Sequence, residues 1–253
     1  MGKKREVGMP NFKLVVCYDG SRYKGWQKQG NTENTIQARL ENALSGILGE
    51  PIEISGSGRT DAGAHAKMQV ASFRAVTKMP PEEILKRLRG VLPEDIGAVS
   101  ADIAEPRFHA RLSCVGKTYV YRVWNSDRPN VFERKYLYTV TDPLDLAAMQ
   151  KAAGHFTGSH DFSAFCSLKH MKRSAVRRID GLRVERLGDE LRFTVSGDGF
   201  LYNMVRIIVG TVLEVGRGSL SPDAIPDILA SLDRQSAGPT APAKGLCLEE
   251  VRY

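Results

Sequence analysis

The hydrophobic pattern of this chain switches between strand and helix in an order that occurs twice, which limits the folds that the chain can adopt. Residues 11–112 predict strand, helix, strand, strand, helix and strand, and residues 113–253 predict the same order again. The connections are too short for a doubly wound parallel sheet. The pattern therefore predicts an α+β fold of two similar domains with those bounds, each an antiparallel sheet with helices on one face. Residues 1–10 are polar and basic, and we expect them to form a disordered tail.

The individual elements follow from periodicity, caps and breakers. The predicted strands are 12–18, 52–54, 69–73, 98–103, 117–124, 132–140, 182–187, 191–195 and 246–251. The predicted helices are 35–48 with Asn34 as cap, one from Pro81 to Gly90, one capped by Asp142 and ending at Gly154, one over 200–214, and one that begins at Ser221-Pro222.

A segment of twelve residues, Ser55–Ala66, carries small side chains except at Arg59, Asp61 and His65. Its glycines permit positive φ and a close approach of another molecule. The lysine and the hydroxyl that a phosphate-binding P-loop needs are absent, and so is the third glycine of a dinucleotide-binding fingerprint. A single carboxylate also does not match the paired carboxylates of a glycosidase. Two interpretations stay open: a carboxylate presented to a large ligand, or a tight connection between strands.

The charge balance indicates an anionic partner. The 253-residue chain has a formal net charge of +7 at pH 7, and nucleic acid is the commonest partner of such a soluble protein. Cations alternate with aromatic or amide side chains in 22–29 and 107–111, a composition that binds bases and phosphates. The first of these segments also fits a polar loop whose Tyr and Trp are anchored in the core. The densest basic stretch, Lys169–Arg178, fits either a solvated face or a surface that contacts RNA, and we favour RNA.

Other classes of protein are disfavoured by the sequence. The four cysteines are far apart and form no C-x-x-C, so we expect reduced thiols and no metal site. No apolar run reaches the roughly 18 residues of a membrane span, and the N-terminal residues lack a secretory h-region. We therefore expect a cytoplasmic protein that does not bind a membrane.

One cation stands within the mainly apolar helix predicted at 200–214. Arg206 has Val205 before it and Ile207 after it, and a guanidinium buried without a partner would cost several kcal/mol. The side chain must therefore extend to water or pair with an anion. Asp61 is the candidate anion, since a nearby arginine would keep a nucleophilic carboxylate ionised in a dry pocket.

Several motifs together resemble the tRNA pseudouridine synthases of the TruA type over residues 11–253. The segment Gly58–Ala66 is the most specific of them, although Ala64 replaces an expected valine. The other matching motifs are Tyr18-Asp19-Gly20-Ser21, Gly25-Trp26-Gln27, Phe108-His109-Ala110-Arg111, Lys117-Thr118-Tyr119-Val120-Tyr121, His160-Asp161-Phe162, Gly199 to Arg206, Thr240-Ala241-Pro242 and Gly245-Leu246.

The resemblance implies a set of site residues. Asp61 would be the nucleophile, attacking either C6 of the uracil or C1′ of the ribose. Tyr119 would stack on the target base and is a candidate for removing the C5 proton. Arg206 would pair with Asp61, and Arg59 would fill the space left by a flipped nucleotide. The residues expected to bind substrate are Arg59, Tyr119, His65, Phe108, Arg111 and Lys117.

The resemblance also implies the activity and the partners. It implies isomerisation of uridine to pseudouridine in the anticodon arm of tRNA, just 3′ of the anticodon at positions 38–40, by a homodimer whose two domains surround a central basic cleft. No cofactor or metal is implied, because no net group enters or leaves. The alternatives are a non-catalytic protein that binds or folds tRNA, and a pseudouridine synthase that acts on another RNA.

Overall fold

The computed structural model describes residues 9–168 and 174–253 of the chain. It contains two compact units. The N-terminal unit comprises Met1–Ala62 and Ala66–Cys114, and the C-terminal unit comprises Gly63–His65 and Val115–Tyr253. Most of the predicted tail and part of the basic stretch, residues 169–173, lie outside the described residues. The domain bounds predicted from the sequence stay a prediction.

The N-terminal unit is built on an antiparallel sheet in the order β4-β1-β3-β2. Its helices α1 and α2 pack on each other, and α2 packs on β4. The core contains Phe12 and Phe73, whose rings stack with centroids 5.0 Å apart. The elements are β1 (Asn11–Tyr18), α1 (Ile36–Leu48), β2 (Ser55–Gly56), β3 (His65–Arg74), α2 (Pro81–Val91) and β4 (Ile96–Ala104).

The C-terminal unit has an antiparallel sheet in the order β10-β5-β9-β8-β7, with β6 pairing in parallel with β5. Helix α3 packs on α4 and on β8. The elements are β5 (Gly116–Trp124), β6 (Tyr138–Thr139), α3 (Leu146–Gly154), β7 (Gly158–Asp161), β8 (Val176–Leu187), β9 (Glu190–Gly197), α4 (Met204–Gly216), α5 (Ile225–Ser231) and β10 (Leu246–Arg252).

The two units share one arrangement of strands. In each, the first strand lies between the last strand and a hairpin, so β4-β1-β3-β2 corresponds to β10-β5-β9-β8. This is the order of a β-α-β-β-α-β unit, in which each helix connects strands and packs on one face of the sheet. The sequence-based prediction of an α+β fold with antiparallel sheets is confirmed.

Several predicted boundaries are wrong, because side chains near the ends decide them. Thr35, and not Asn34, caps α1 by accepting a hydrogen bond from the amide of Ala38. Asp145, and not Asp142, caps α3 in the same way. The predicted strand at 52–54 is irregular, and β2 follows it at Ser55–Gly56.

Two further predictions also need correction. Only Tyr138–Thr139 of the strand predicted at 132–140 is extended, since a turn occupies the residues before it. Helix α4 begins at Met204 and not at residue 200, because Asn203 adopts a left-handed conformation with φ 62°. The helix begun at Ser221-Pro222 is a short 3-10 turn followed by α5, with Pro226 in the first turn of α5, where proline is tolerated.

Candidate active site

Asp61 lies in a loop of the N-terminal unit between β2 and β3, and a buried glutamine holds the start of this loop. Gln69 on β3 is fully buried. Its Oε1 accepts a hydrogen bond from the hydroxyl of Ser57 at 2.6 Å, and its Nε2 donates to the carbonyl of Gly58 at 3.0 Å. The amide of Ser57 donates to the carbonyl of Val70 at 2.7 Å. A buried polar network with these bonds satisfied makes the loop rigid.

Thr60, the residue before Asp61, is also held by hydrogen bonds. The carbonyl of Thr60 accepts a hydrogen bond from the amide of Trp26 at 3.0 Å, and its hydroxyl lies 2.8 Å from the hydroxyl of Tyr18. Trp26 and Tyr18 are both buried. The backbone of the loop is therefore fixed directly before the half-exposed Asp61.

Arg59 is oriented by a chain of amide side chains that leads back to α1. Its Nε donates to Oε1 of Gln27 at 3.1 Å, and Nε2 of Gln27 donates to Oε1 of Gln37 at 2.7 Å. Nε2 of Gln37 donates in turn to Oε1 of the buried Glu41 at 2.9 Å. The guanidinium of Arg59 is exposed but has a preferred direction, as a residue that must contact substrate requires.

The aromatic side chains of the segment 22–29 are anchored in the core, as one of the two interpretations of that segment held. Trp26 and Tyr23 are 2% and 5% exposed. The hydroxyl of Tyr23 donates to Asp95 at 2.6 Å, and burial, together with this hydrogen bond, raises the pKa of Tyr23 to about 12. These rings are therefore part of the core and are not free to stack on bases.

Phe108 and Arg111 lie in the turn that follows β4, also in the N-terminal unit. Nδ2 of Asn11 donates to the carbonyls of Glu105 and Phe108 at 2.8 Å each, which holds the start of the turn. Nζ of Lys13 lies 5.7 Å from the centroid of the Phe108 ring, within the range of a cation–π contact. Arg111 is exposed, so its cation is available to an anionic ligand.

The C-terminal unit carries Tyr119 and Lys117 on the same face of β5. Tyr119 is 6% exposed, and its ring meets Phe200 edge to face with centroids 5.1 Å apart. Tyr121 lies on this face as well, and burial raises its pKa although the positive charge of Arg206 opposes that shift. Arg206 is thus within electrostatic reach of the face of β5 that carries Tyr119.

The guanidinium of Arg206 is held by protein oxygens. Its Nε donates to the carbonyl of Ala241 at 2.7 Å, and its Nη1 donates to Oδ1 of Asn203 at 2.9 Å. The amide of Ala241 donates back to the carbonyl of Arg206 at 3.1 Å. Helix α4, which carries Arg206, also packs closely on residues 239–241, since a Cβ at Gly210 would collide with the carbonyl of Pro239. The predicted pairing of Arg206 with Asp61 stays a prediction.

His65 is buried in the C-terminal unit, and its ring is engaged with the protein. Nε2 lies 3.2 Å from the carbonyl of Lys135 and 3.2 Å from that of Lys244. The ring meets Tyr136 edge to face with centroids 5.0 Å apart. The side chain thus ties two segments of this unit together, and its predicted contact with substrate stays a prediction.

Three further properties of the molecule bear on ligands and membranes. Among residues 9–168 and 174–253, no group of three or more His, Cys, Asp or Glu side chains is arranged to hold a metal ion. No helix in the described part of the chain is long and apolar enough to cross a membrane. A surface cavity of about 610 Å³ in the N-terminal unit, lined in part by Arg22, Tyr23, Asn34 and Arg39, contains none of the predicted site residues.

Comparison with known proteins identifies the family. The sequence model of a family described as tRNA pseudouridine synthase matches residues 14–112 and 152–253, which are most of the chain. The chain belongs to the tRNA pseudouridine synthase family. Membership confirms the resemblance found in the sequence motifs, and it confirms that the protein is an isomerase.

Curated members of the tRNA pseudouridine synthase family align with nearly the whole chain. A tRNA pseudouridine synthase A from Moorella thermoacetica is 46% identical over 246 residues, covering 97% of this chain and all of its own. A tRNA pseudouridine synthase A 2 from Bacillus cereus is 45% identical over 245 residues with the same coverage. A solved structure of a Cbf5-Nop10-Gar1 complex matches 80% of this chain and 45% of its own at 14% identity, but its TM-score of 0.35 is too low to bear on the fold.

The residues that hold the loop were not predicted, although one left a signal in the sequence. Gln69 is a polar residue directly before the mainly apolar run Val70–Phe73, which indicates a buried hydrogen-bond partner. The partners of Thr60 and Arg59 left no such signal in the sequence, since Tyr18 and Gln27 lie more than thirty residues away along the chain.

Proposed function

We propose that this protein converts uridine to pseudouridine in the anticodon arm of tRNA, at positions 38–40, with Asp61 as the nucleophile. Its relatives bear the name tRNA pseudouridine synthase A, which supports tRNA as the substrate. The anticodon arm is proposed from the resemblance of the motifs.

The observation that carries the proposal is the way in which the Asp61 loop is built. Small side chains leave room for a nucleotide, and hydrogen bonds from Gln69 and Trp26 hold the backbone before the carboxylate. A tight connection between strands would not require a carboxylate at this place. A rigid loop that carries a single carboxylate is suited to covalent catalysis, because a held nucleophile loses little entropy when it attacks.

The proposed reaction rearranges bonds within one nucleotide. The bond between C1′ and N1 breaks, the uracil turns, and a bond forms between C1′ and C5. The proton on C5 is lost to a base, and N1 ends protonated. Asp61 supplies a transient covalent bond to the substrate, and no redox or group-transfer partner enters the balance.

We assign the remaining residues as the motifs imply. Tyr119 stacks on the target base and removes the C5 proton, and its place on the rigid strand β5 against Phe200 supports this assignment. Arg206 keeps Asp61 ionised, and Arg59 fills the space of the flipped nucleotide. We keep Lys117, His65, Phe108 and Arg111 as proposed substrate-binding residues. The proposal includes a homodimer in the cytoplasm and a central basic cleft, with domains at 11–112 and 113–253.

The test uses tRNA that carries tritium at C5 of its uridines, because isomerisation releases that tritium into water. We expect release by the wild-type protein and none by Asp61→Ala, with binding of tRNA retained. Asp102→Ala is the matched control, since Asp102 is an exposed aspartate on β4, and it should release tritium at the wild-type rate. Release that persists in Asp61→Ala would remove Asp61 from the role of nucleophile.

The same assay separates the alternatives. A non-catalytic protein that binds or folds tRNA would retain tRNA without releasing tritium. A synthase for another RNA would leave the tRNA unmodified, and mapping pseudouridine in RNA from a deletion strain would show which positions are lost. Loss of pseudouridine at positions other than 38–40 would overturn the proposed target.

A further inference from the structure

A turn in the C-terminal unit presents a phenylalanine to solvent. The turn spans residues 130–136 between β5 and β6, in the part of the chain that the family model leaves unmatched. Phe132 is 96% exposed and the adjacent Val131 is 54% exposed. The ring therefore adds almost nothing to the buried core of the protein.

The turn is rigid at its base. Oδ1 of Asn130 accepts a hydrogen bond from the amide of Glu133 at 3.1 Å, and the carbonyl of Glu133 accepts one from the amide of Tyr136 at 2.7 Å. The carboxylate of Glu133 is paired with Nη2 of Arg122 on β5 at 2.8 Å. The polar side chains thus hold the backbone in one conformation, which lowers the entropy lost when the exposed ring binds a partner.

The far end of the turn is tied to His65, which belongs to the same unit. The carbonyl of Lys135 lies 3.2 Å from Nε2 of His65, and the ring of Tyr136 packs on that of His65. The turn is therefore held at both ends by contacts within the C-terminal unit.

The charges around Phe132 favour a polyanion. Arg128, Arg134 and Lys135 are exposed cations. Of the two carboxylates in residues 127–135, that of Asp127 is exposed and that of Glu133 is paired with Arg122. Within the described part of the chain, neither Arg134 nor Lys135 pairs with a carboxylate, whereas Arg128 forms an ion pair with Asp189 at 3.4 Å. A second copy of this chain, which carries a net charge of +7, complements this surface poorly.

We propose that Phe132 binds RNA by stacking on an unpaired base of the substrate, while Arg134 and Lys135 contact the flanking phosphates. Exposed aromatic rings between cations are suited to single-stranded RNA, because every base offers a face for stacking and the cations follow the backbone. That the bound RNA is the substrate, the choice of tRNA as the probe and the KM measurement rest on the proposed function, whereas binding of RNA by the ring does not. The inference adds a substrate-binding element outside the motifs of the family resemblance.

The test compares Phe132→Ala with Phe132→Tyr in the full-length protein. Loss of the ring should raise the Kd for tRNA about tenfold in filter binding, and should raise KM for tritium release similarly with kcat little changed. The tyrosine variant keeps an aromatic face and should stay within about twofold of the wild type. Both variants should unfold at the wild-type temperature, because the side chain is exposed.

Ile103→Ala is the matched control, since Ile103 is 66% exposed on β4 and lies beside Asp102 instead of cations. Its Kd for tRNA should equal that of the wild type. An unchanged Kd in Phe132→Ala would overturn the inference. It would also be overturned if the wild-type protein sedimented as a dimer and Phe132→Ala as a monomer, because the turn would then bind a second copy of the chain. The two proposals can fail separately, because Kd is measured without turnover. A wild-type protein that releases no tritium would overturn the proposed function, and the Kd of Phe132→Ala would still decide this inference.

Discussion

At the scale of single residues, Gly25 controls the position of the Asp61 loop. It has φ +93°, a conformation that side chains rarely adopt. A Cβ at this position would lie 2.8 Å from the carbonyl oxygen of Thr60 and 3.2 Å from the amide nitrogen of Ala62. Both atoms belong to the backbone that flanks Asp61, so any side chain at residue 25 must push on the nucleophile.

We predict that Gly25→Ala lowers kcat for tritium release roughly tenfold, because a small displacement of a held nucleophile has a large effect on the rate. The free energy of unfolding should fall by about 1–3 kcal/mol from backbone strain. Denaturant unfolding and single-turnover kinetics would measure the two effects. A variant with the wild-type kcat would show that the loop tolerates a side chain here.

The control for this substitution is Gly46→Ala. Gly46 lies inside α1 and is exposed, and a Cβ added there would have open space around it, with no atom of another element within 4 Å. Alanine is more stable than glycine inside a helix, so the free energy of unfolding should rise by about 0.5–1 kcal/mol while kcat stays unchanged.

At the scale of elements, β5 and β9 place two like charges side by side. Arg122 and Arg192 are directly opposite in the register of the two strands, which by itself is destabilising. Glu190 relieves the repulsion, since its carboxylate accepts hydrogen bonds from Arg122 at 2.6 Å and from Arg192 at 3.0 Å. Burial by itself would raise the pKa of Glu190, but the two arginines outweigh it and hold the pKa below the ordinary value of a glutamate.

We predict that Glu190→Gln reduces the free energy of unfolding by about 2 kcal/mol at pH 7, because the arginines lose a charged acceptor and their mutual repulsion is no longer offset. A carboxylate whose pKa is lower in the folded protein than in the unfolded chain stabilises the fold at pH values above the unfolded-state pKa. This stabilisation is lost as the pH falls through the pKa of the folded state. The difference between variant and wild type should therefore shrink below about pH 4.5.

Urea unfolding at pH 7 and at pH 3.5 would test this prediction. Glu185→Gln is the matched control, since Glu185 on β8 lies opposite Arg192 but is 46% exposed. Its effect should be below about 0.5 kcal/mol at either pH. An equal loss in both glutamine variants would show that burial of Glu190 has no special effect.

The elements were predictable where periodicity alone decides them, and not where a local side chain does. Alternation along β5 and the Gly188 turn between β8 and β9 were predicted from the sequence. The start of α4 was not, because Leu201 and Met204 keep helical spacing although the left-handed Asn203 separates them. The aromatic residues near Phe132 suggested a strand, but hydrogen bonds of Asn130 and Glu133 form a turn.

The candidate site, too, was predictable from the sequence only in part. Asp61 could be singled out as a candidate because a carboxylate among small residues is unusual in composition, and its role stays a prediction. Its support was not, because Gln69, Trp26 and Tyr18 reach the loop through contacts between distant parts of the chain. Such pairings depend on the register of strands, which single residues do not reveal.

At the scale of the whole molecule, the net charge of +7 favours binding of a polyanion such as RNA. Affinity that comes from neutralised phosphates decreases steeply with salt, because counterions are released on binding. The basic stretch Lys169–Arg178 is dense enough to supply part of this charge. Two of its cations lie in the described part of the chain. Arg178 pairs with Asp180 at 3.0 Å, whereas Arg177 donates to the carbonyls of Ser174 and Val176 and pairs with no carboxylate among the described residues.

We predict that reversing two charges in this stretch, Arg173→Glu with Arg177→Glu, weakens tRNA binding and makes the slope of log K against log salt less steep by about two. The reason is that each arginine that contacts a phosphate accounts for nearly one released counterion. Lys86→Glu with Arg87→Glu on α2 changes the net charge by the same amount and should leave the slope unchanged. Equal slopes in all three proteins would make the stretch an ordinary solvated surface, whereas equal losses in both variants would assign the effect to net charge alone. Filter binding between about 50 and 200 mM salt would resolve these outcomes.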